Sequence, residues 1–193
     1  MKEYIKDILE ESITAHKEFA LDNVDILKEI ADAVVECFKR GNKVIIMGNG
    51  GSASDALHIA GEFVGRFEME RPTLPAIALT GNTAAITAIG NDYSYDEVFE
   101  KQVAALVNAG DIVWGISTSG NSENVIRALK RGIRDEAVTI GFAGRDGGKM
   151  AGLCDHLLIV KHQRTARIQE LHILAAHIIC GLVDEKMFGK YSG

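Results

Sequence analysis

Residues 111–122 read DIVWGISTSGNS, and the nine that follow, ENVIRALKR (123–131), have helical spacing. The run 111–116 is apolar with little alternation, the pattern of a strand buried on both faces. It stops abruptly in small polar residues, Ser117 to Ser122, before Val125, Ile126 and Leu129 open an apolar stripe. Strand, tight turn, helix: this is the repeating unit of a parallel sheet. The same unit recurs on either side. KVIIM (43–47), AIAL (76–79), AVTIGF (137–142) and HLLIV (156–160) predict four more buried strands. Segments 54–67, 96–107 and 122–131 predict helices between them, and 165–188 one long helix after the last.

Upstream of the first strand, Ile5, Ile8, Leu9 and Ile13, then Val24, Leu27, Ile30, Ala31, Val34, Val35 and Phe38 recur at three- and four-residue intervals. Asp22 or Asn23 is a candidate cap between two helices and Gly41 a stop. The expected fold is therefore α/β: a five-stranded parallel sheet between two helical layers, a three-layer sandwich, with an N-terminal helical hairpin over 1–41. No composition shift or linker divides the 193 residues, so one domain (1–193) is expected. The apolar stripes of the hairpin need cover, and a second subunit would supply it.

Composition excludes several classes. With 47% hydrophobic and 25% charged residues, the chain is not disordered as a whole. No uninterrupted apolar run approaches the ~18 residues of a membrane span, and the charged N-terminus MKEYIKDILEES does not read as a secretory signal. The net charge of −6 without basic clusters argues against nucleic acid as a partner, though not against a small phosphorylated one. Cys37, Cys154 and Cys180 are widely spaced and form no CxxC, as expected of reduced thiols in a cytoplasmic protein.

Glycine is the anomaly: 20 glycines against 2 prolines, about 10% where ~7% is usual. Gly48, Gly50 and Gly51 (GNGGS), Gly81, Gly120 and Gly144 all follow predicted strands. Ligands of parallel sheets bind at those carboxyl ends, and glycines gathered there leave room for backbone to approach one. The loop Ser117-Thr118-Ser119-Gly120-Asn121-Ser122 adds four hydroxyls to the free N–H groups of a helix start, a set suited to phosphate. Without the lysine of GxxxxGK[ST] it is not a Walker A loop, and GNGGSAS lacks the last glycine of GxGxxG. A helix cap would account for Asn121 or Ser122 but not for Ser117, Thr118 and Ser119 together.

Two further clusters carry chemistry. His58 and Glu62 lie four apart on one helical face, a pair able to hold a divalent metal or to present a carboxylate as base. The last helix carries Gln169, Glu170, His172 and His177. Eight residues on a straight helix separate Gln169 from His177 by ~12 Å along the axis. The two reach one ion only if the helix starts late, bends, or a neighbouring chain contributes.

The runs GNGGSASDALHIAGEFVGRF, RPTLPAIAL, GND, GDIVWGISTSGNSENVI, GRDGGKMAG and RIQELHILAAHI resemble, in the same order and over nearly the whole chain, the phosphoheptose isomerases of the sugar isomerase (SIS) family. The resemblance implies the SIS fold and conversion of sedoheptulose 7-phosphate to D-glycero-D-manno-heptose 7-phosphate through an enediol, for heptose and cell-surface polysaccharide (lipopolysaccharide) biosynthesis. It further implies a homotetramer with interface active sites and one zinc ion per subunit. By the same resemblance His58, Glu62, Gln169 and His177 match the metal ligands, with Glu62 the general base and His177 the general acid. Asn49, Gly50, Gly51, Ser52 and Gln169 match the sugar contacts. Asn91 and Asp92 match a dipeptide facing the sugar hydroxyls, and Ser117, Thr118, Ser119 and Ser122 the phosphate cradle. One departure is Ala166, where some relatives have Asp. The alternative is a relative with the same fold that binds the bacterial replication initiator without catalysis. RFEMERPTLPAIAL and DYSYDEVFEKQV resemble that relative, but it has no need of a carboxylate at 62 or an imidazole at 177.

Overall fold

The computed structural model describes residues 1–189. Chain order is α1 (Lys2–Asp22), α2 (Val24–Lys39), β1 (Val44–Gly48), α3 (Gly51–Val64), β2 (Ala76–Ala78), α4 (Thr83–Asp92), α5 (Glu100–Leu106), β3 (Ile112–Ser117), α6 (Glu123–Arg134), β4 (Val138–Gly144), β5 (His156–Val160) and α7 (Thr165–Phe188). The five strands form one all-parallel sheet in the order β2-β1-β3-β4-β5. Alternate residues of the inner strands β1, β3 and β4 feed two separate cores, as the period-2 geometry of a pleated strand requires, whereas Ile77 on the edge strand β2 is exposed. Val44, Ile46, Ile112, Trp114 and Phe142 pack under α2, α3 and α7, whereas Ile45, Met47 and Val113 pack under α5 and α6. Trp114 and Phe142 meet edge-on at 4.9 Å between centroids. The expected sandwich is present, with both faces of the sheet covered.

The hairpin of α1 and α2 is also present, and the polar residue at its corner works in an unexpected direction. Asn23 follows α1 and its Nδ2 donates to the Phe19 carbonyl (3.1 Å), closing α1 rather than capping α2. Gly41, at φ +79°, ends the second helix through its N–H to Phe38 O. Helix α3 starts at Gly51, three residues earlier than the apolar stripe predicts, because the glycine turn is itself the first helical turn. The segment 96–107 is not one helix: a 3-10 turn at Tyr95–Glu97 precedes the shorter α5. Helix α4 has no counterpart in the expected elements. It contains no buried residue and so shows no stripe, and its start is held by Asn82 Oδ1 accepting from Ala85 N. Helix α7 has the length and apolarity of a membrane span, but half of that window is buried inside the fold.

His172 on α7 is a polar side chain in the core, 1% exposed. Its Nε2 donates to the Ala143 carbonyl at 3.1 Å, and its ring lies 5.4 Å from that of Phe142. Burial pushes its pKa down to about 4, with the Ala143 bond opposing. Unfolded histidine titrates near 6.5, so between those values the unfolded chain holds the extra proton. The contribution of His172 is complete above pH ~6.5 and is lost as pH falls toward 4. Asp55 works in the opposite sense: burial pushes it up to about 6, so its contribution is present at low pH and lost as pH rises through that value. Comparison with His172→Gln, which keeps a donor for Ala143, isolates the histidine. In urea melts the wild type should lose about 2 kcal/mol more than the variant between pH 7 and pH 5.

Candidate active site

In the strand order β2-β1-β3-β4-β5 the chain changes direction of travel between β1 and β3, the place at whose carboxyl ends ligands of such sheets bind. Two loops face each other across it. Asn49, after β1, and Asn124, in the first turn of α6, form a reciprocal amide pair with both N···O distances at 2.9 Å. Asn49 Oδ1 also accepts from Tyr95 Oη at 3.0 Å. The switch point is thus closed by a three-residue clasp whose side chains come from three separate segments.

Beside the clasp, the β3–α6 loop turns its hydroxyls toward one another. Ser117 Oγ is 2.8 Å from Ser122 Oγ and 3.4 Å from Ser119 Oγ. Ser122 occupies the N-cap position of α6, yet its side chain makes no capping bond. The hydroxyl faces the cradle instead, and of the first-turn N–H groups Val125 N is taken by Asn124 Oδ1 (2.9 Å), so the helix start faces the loop without a side-chain cap from Ser122. Asn121 is instead spent on the loop, donating to Ser119 O (2.9 Å) and accepting from Lys149 N (3.0 Å). Gly120 makes the loop possible: at φ +65° it lies so close to Gly147 that a Cβ would overlap the Gly147 carbonyl oxygen.

The second half of the site lies along α3 and α7, which run side by side. Gly51, in the first turn of α3, touches the Gln169 amide, and a Cβ there would overlap it. Farther along, His177 meets His58, with Nε2 atoms 3.3 Å apart and ring centroids 5.0 Å apart. His58 Nε2 is also 2.8 Å from Glu62 Oε1. Phe67 stacks on His177 with ring centroids 5.5 Å apart. The ligand atoms of His58, Glu62 and His177 all lie within 4.8 Å of one another.

That convergence has a chemical consequence. The single proton on a neutral His58 Nε2 can serve the Glu62 carboxylate or the His177 nitrogen, not both. Two imidazole nitrogens and a carboxylate oxygen aimed at one region are instead satisfied together by a divalent cation, and the donor types suit zinc. Glu62 is partly shielded, at 23% side-chain exposure, whereas His58 is 48% exposed and so open to a ligand.

Of the four expected metal ligands, three are brought together. Gln169 lies by Gly51, seven residues and ~10 Å of helix before His58. Helix α7 is a single element from Thr165 to Phe188, so neither a late start nor a break brings Gln169 level with His177. Gly50 and Ser52 form the α3 entry, with Ser52 N bonded to Asn49 O and Ala53 N to Gly50 O. Thr118 is half-buried in the loop between Ser117 and Ser119. Asn91 and Asp92 end α4, exposed and bonded to each other at 2.9 Å. Asn124, Tyr95 and Phe67 are site residues that sequence reasoning missed. Asn124 sat in plain view inside the motif ISTSGNSENVI, but nothing in its spacing distinguished it from a surface residue of the helix.

A family model described as SIS domain matches residues 4–144. The chain is similar to the phosphoheptose isomerase of Nitratidesulfovibrio vulgaris, 55% identical over 166 residues, which cover 86% of this chain and 80% of that protein. It is also similar to that of Clostridium acetobutylicum, 46% identical over 192 residues and covering 98% of both. Among solved structures, the phosphoheptose isomerase of Neisseria gonorrhoeae superimposes with a TM-score of 0.91 at 46% identity, over 95% of this chain and 98% of that one.

The loop geometry is open to a direct test. Gly120→Ala combines a left-handed backbone with backbone overlap at Gly147, whereas Gly41→Ala meets the same backbone conformation in open space. Denaturant melts should show a loss of about 1 kcal/mol for Gly41→Ala and about 3 kcal/mol for Gly120→Ala.

Proposed function

The chain belongs to the SIS-domain family, in its phosphoheptose isomerase branch, and from that premise we propose that it is a cytoplasmic enzyme converting sedoheptulose 7-phosphate to D-glycero-D-manno-heptose 7-phosphate. The product would feed heptose units into cell-surface polysaccharide. The observation that carries this reading is the meeting of His58, Glu62 and His177 on helices whose N-termini open at the same sheet edge as a hydroxyl-lined anion loop. A protein that only bound a partner would need the loops but not the carboxylate and imidazoles held face to face.

In this reading the phosphate sits among Ser117, Thr118, Ser119 and Ser122 against the first turn of α6. Asn49, Gly50, Gly51, Ser52 and Gln169 line the sugar. Asn91 and Asp92 face its hydroxyls, with a neighbouring subunit one way to bring them there. Isomerisation moves one proton between adjacent carbons. The Glu62 carboxylate takes it from C1 of the ketose, the electron pair forms the C1–C2 double bond of the enediol, and His177 protonates the former carbonyl oxygen. His177 takes the O1 proton back as the new carbonyl forms at C1, and Glu62 returns its proton to C2. Glu62 is thus a carboxylate again after each turnover. His58, Glu62 and His177 would hold zinc, which would supply a positive charge to the developing enediolate; Gln169, the expected fourth ligand, would join them only from a neighbouring chain.

A homotetramer with active sites at its interfaces completes the proposal. Only Ala15 and Phe19 of α1 are buried, leaving Ile5, Leu9 and Ile13 exposed. An apolar groove lined by Phe19, Val24, Leu27, Leu174, Ile178 and Leu182 runs between the hairpin and α7. A second copy of the 1–41 hairpin is the proposed cover.

Turnover of sedoheptulose 7-phosphate by the wild type is the first test, and Glu62→Gln the second. The variant should lose kcat by about three orders of magnitude while still binding substrate in calorimetry. Unimpaired turnover would remove Glu62 from the mechanism.

A further inference from the structure

Arg71 lies on the connection from α3 to β2, just before Pro72, and its side chain is 0% exposed. Four of its five N–H groups are engaged. Nε donates to Asp184 Oδ1 on α7 (2.6 Å) and one terminal nitrogen to Glu62 O (2.8 Å). The other terminal nitrogen donates to Phe63 O and Pro72 O, both at 3.0 Å. Asp184 is itself buried, at 3% side-chain exposure. The carbonyls of Glu62 and Phe63 are among the last four of α3, which no helical N–H can satisfy. Gly65 N takes the Gly61 carbonyl, and Arg71 bonds the next two, sharing Phe63 O with Leu74 N (3.0 Å). Its positive charge also sits at the negative end of the helix.

We infer that Arg71 is a positioning residue for the reacting cluster: it fixes the axial register of α3 against α7 and thereby sets where Glu62 stands relative to His177. It grips α3 by the backbone of Glu62 itself. It grips α7 at Asp184, seven residues beyond His177 and so two turns along nearly the same face. One planar cation therefore spans from the backbone of the proposed base to the helix of the proposed acid. The inference rests on the proposed roles of Glu62 and His177, and it adds a residue that touches neither substrate nor metal. Lysine cannot replace it. A single ammonium cannot reach Asp184 and both helix carbonyls from one position, as the forked guanidinium does.

The test compares Arg71→Lys and Asp184→Asn with Asp111→Asn. Asp111 is an equally buried carboxylate at the amino end of the central strand β3, opposite the ligand-facing ends, accepting from Lys43 N, Asn108 N, Asn42 Nδ2 and Lys43 Nζ. Each protein is melted, titrated with zinc against a chromogenic chelator, and assayed well below its melting temperature. Arg71→Lys should weaken zinc binding about tenfold and lower kcat by about 10- to 100-fold, with KM within about twofold. Asp184→Asn, which keeps an oxygen for Nε, should fall between Arg71→Lys and the wild type. Asp111→Asn should lose stability while keeping both zinc affinity and kcat. If Arg71→Lys fails to fold, Asp184→Asn carries the test alone. Wild-type zinc affinity in the Arg71 and Asp184 variants would overturn the inference, as would an equal drop in Asp111→Asn. A wild type without isomerase turnover, but with zinc affinity that falls in those two variants alone, would overturn the proposed reaction and leave the inference standing.

Discussion

The parallel packing of α3 on α7 is the constraint from which the site follows. Both helices leave a strand at its carboxyl end in an all-parallel sheet, so both run back along it in the same sense. Their N-termini consequently open at one edge, and their side chains meet rung by rung. Gly51 faces Gln169 and His58 faces His177, at offsets of nearly the same length in each helix. An antiparallel pair could bring only one such rung to the ligand edge. Close approach at the first rung requires glycine, because a methyl group at 51 would occupy the space of the Gln169 amide.

Global charge and local electrostatics point in different directions here, and the local term decides. The chain carries a formal charge of −6, yet the anion loop contains no carboxylate and no lysine in the run Ser117–Ser122. The groups it would offer an anion are dipoles: hydroxyls, backbone N–H groups and a helix start. Such groups remain available whatever the net charge, since charges beyond about 10 Å are screened at ordinary ionic strength. The same logic explains a site poor in aromatic platforms. A polar ligand is held by donors, and the aromatic ring of Phe67 braces His177 instead.

What the sequence made legible was whatever has a period or a punctuation mark. Five strands announced themselves as apolar runs, and all five are present within one or two residues of the expected bounds. The glycine turns gather at the carboxyl edge of the sheet, where the loops after β1 and β3 meet. Helix α4 was invisible because it buries nothing: a helix without a core-facing stripe leaves no periodic trace, and its Thr, Gly and Asn content reads as loop. Asn124 and Tyr95 escaped for another reason. Their importance lies in partners 75 and 46 residues away along the chain, and a long-range hydrogen bond has no local signature. Arg71 looked like one charge in an ordinary polar stretch, although it is among the few charged side chains with no exposure.

The eight-residue interval between Gln169 and His177 illustrates how a helical spacing should be read. Taken against a single ligand point, ~12 Å of separation is a contradiction. Taken against a second, parallel helix, it is a ladder: each residue of α7 has its own rung on α3. The first turn of α3, with Gly51 and Gln169, borders the anion loop through Asn49 and its clasp. The next turns carry His58 and Glu62 toward His177. A phosphosugar lying along α3 would therefore be gripped at the helix entrance and presented to the carboxylate and imidazoles farther in. On the proposed reading, binding and chemistry would be separated along one axis, with the register between the two helices setting the distance between them.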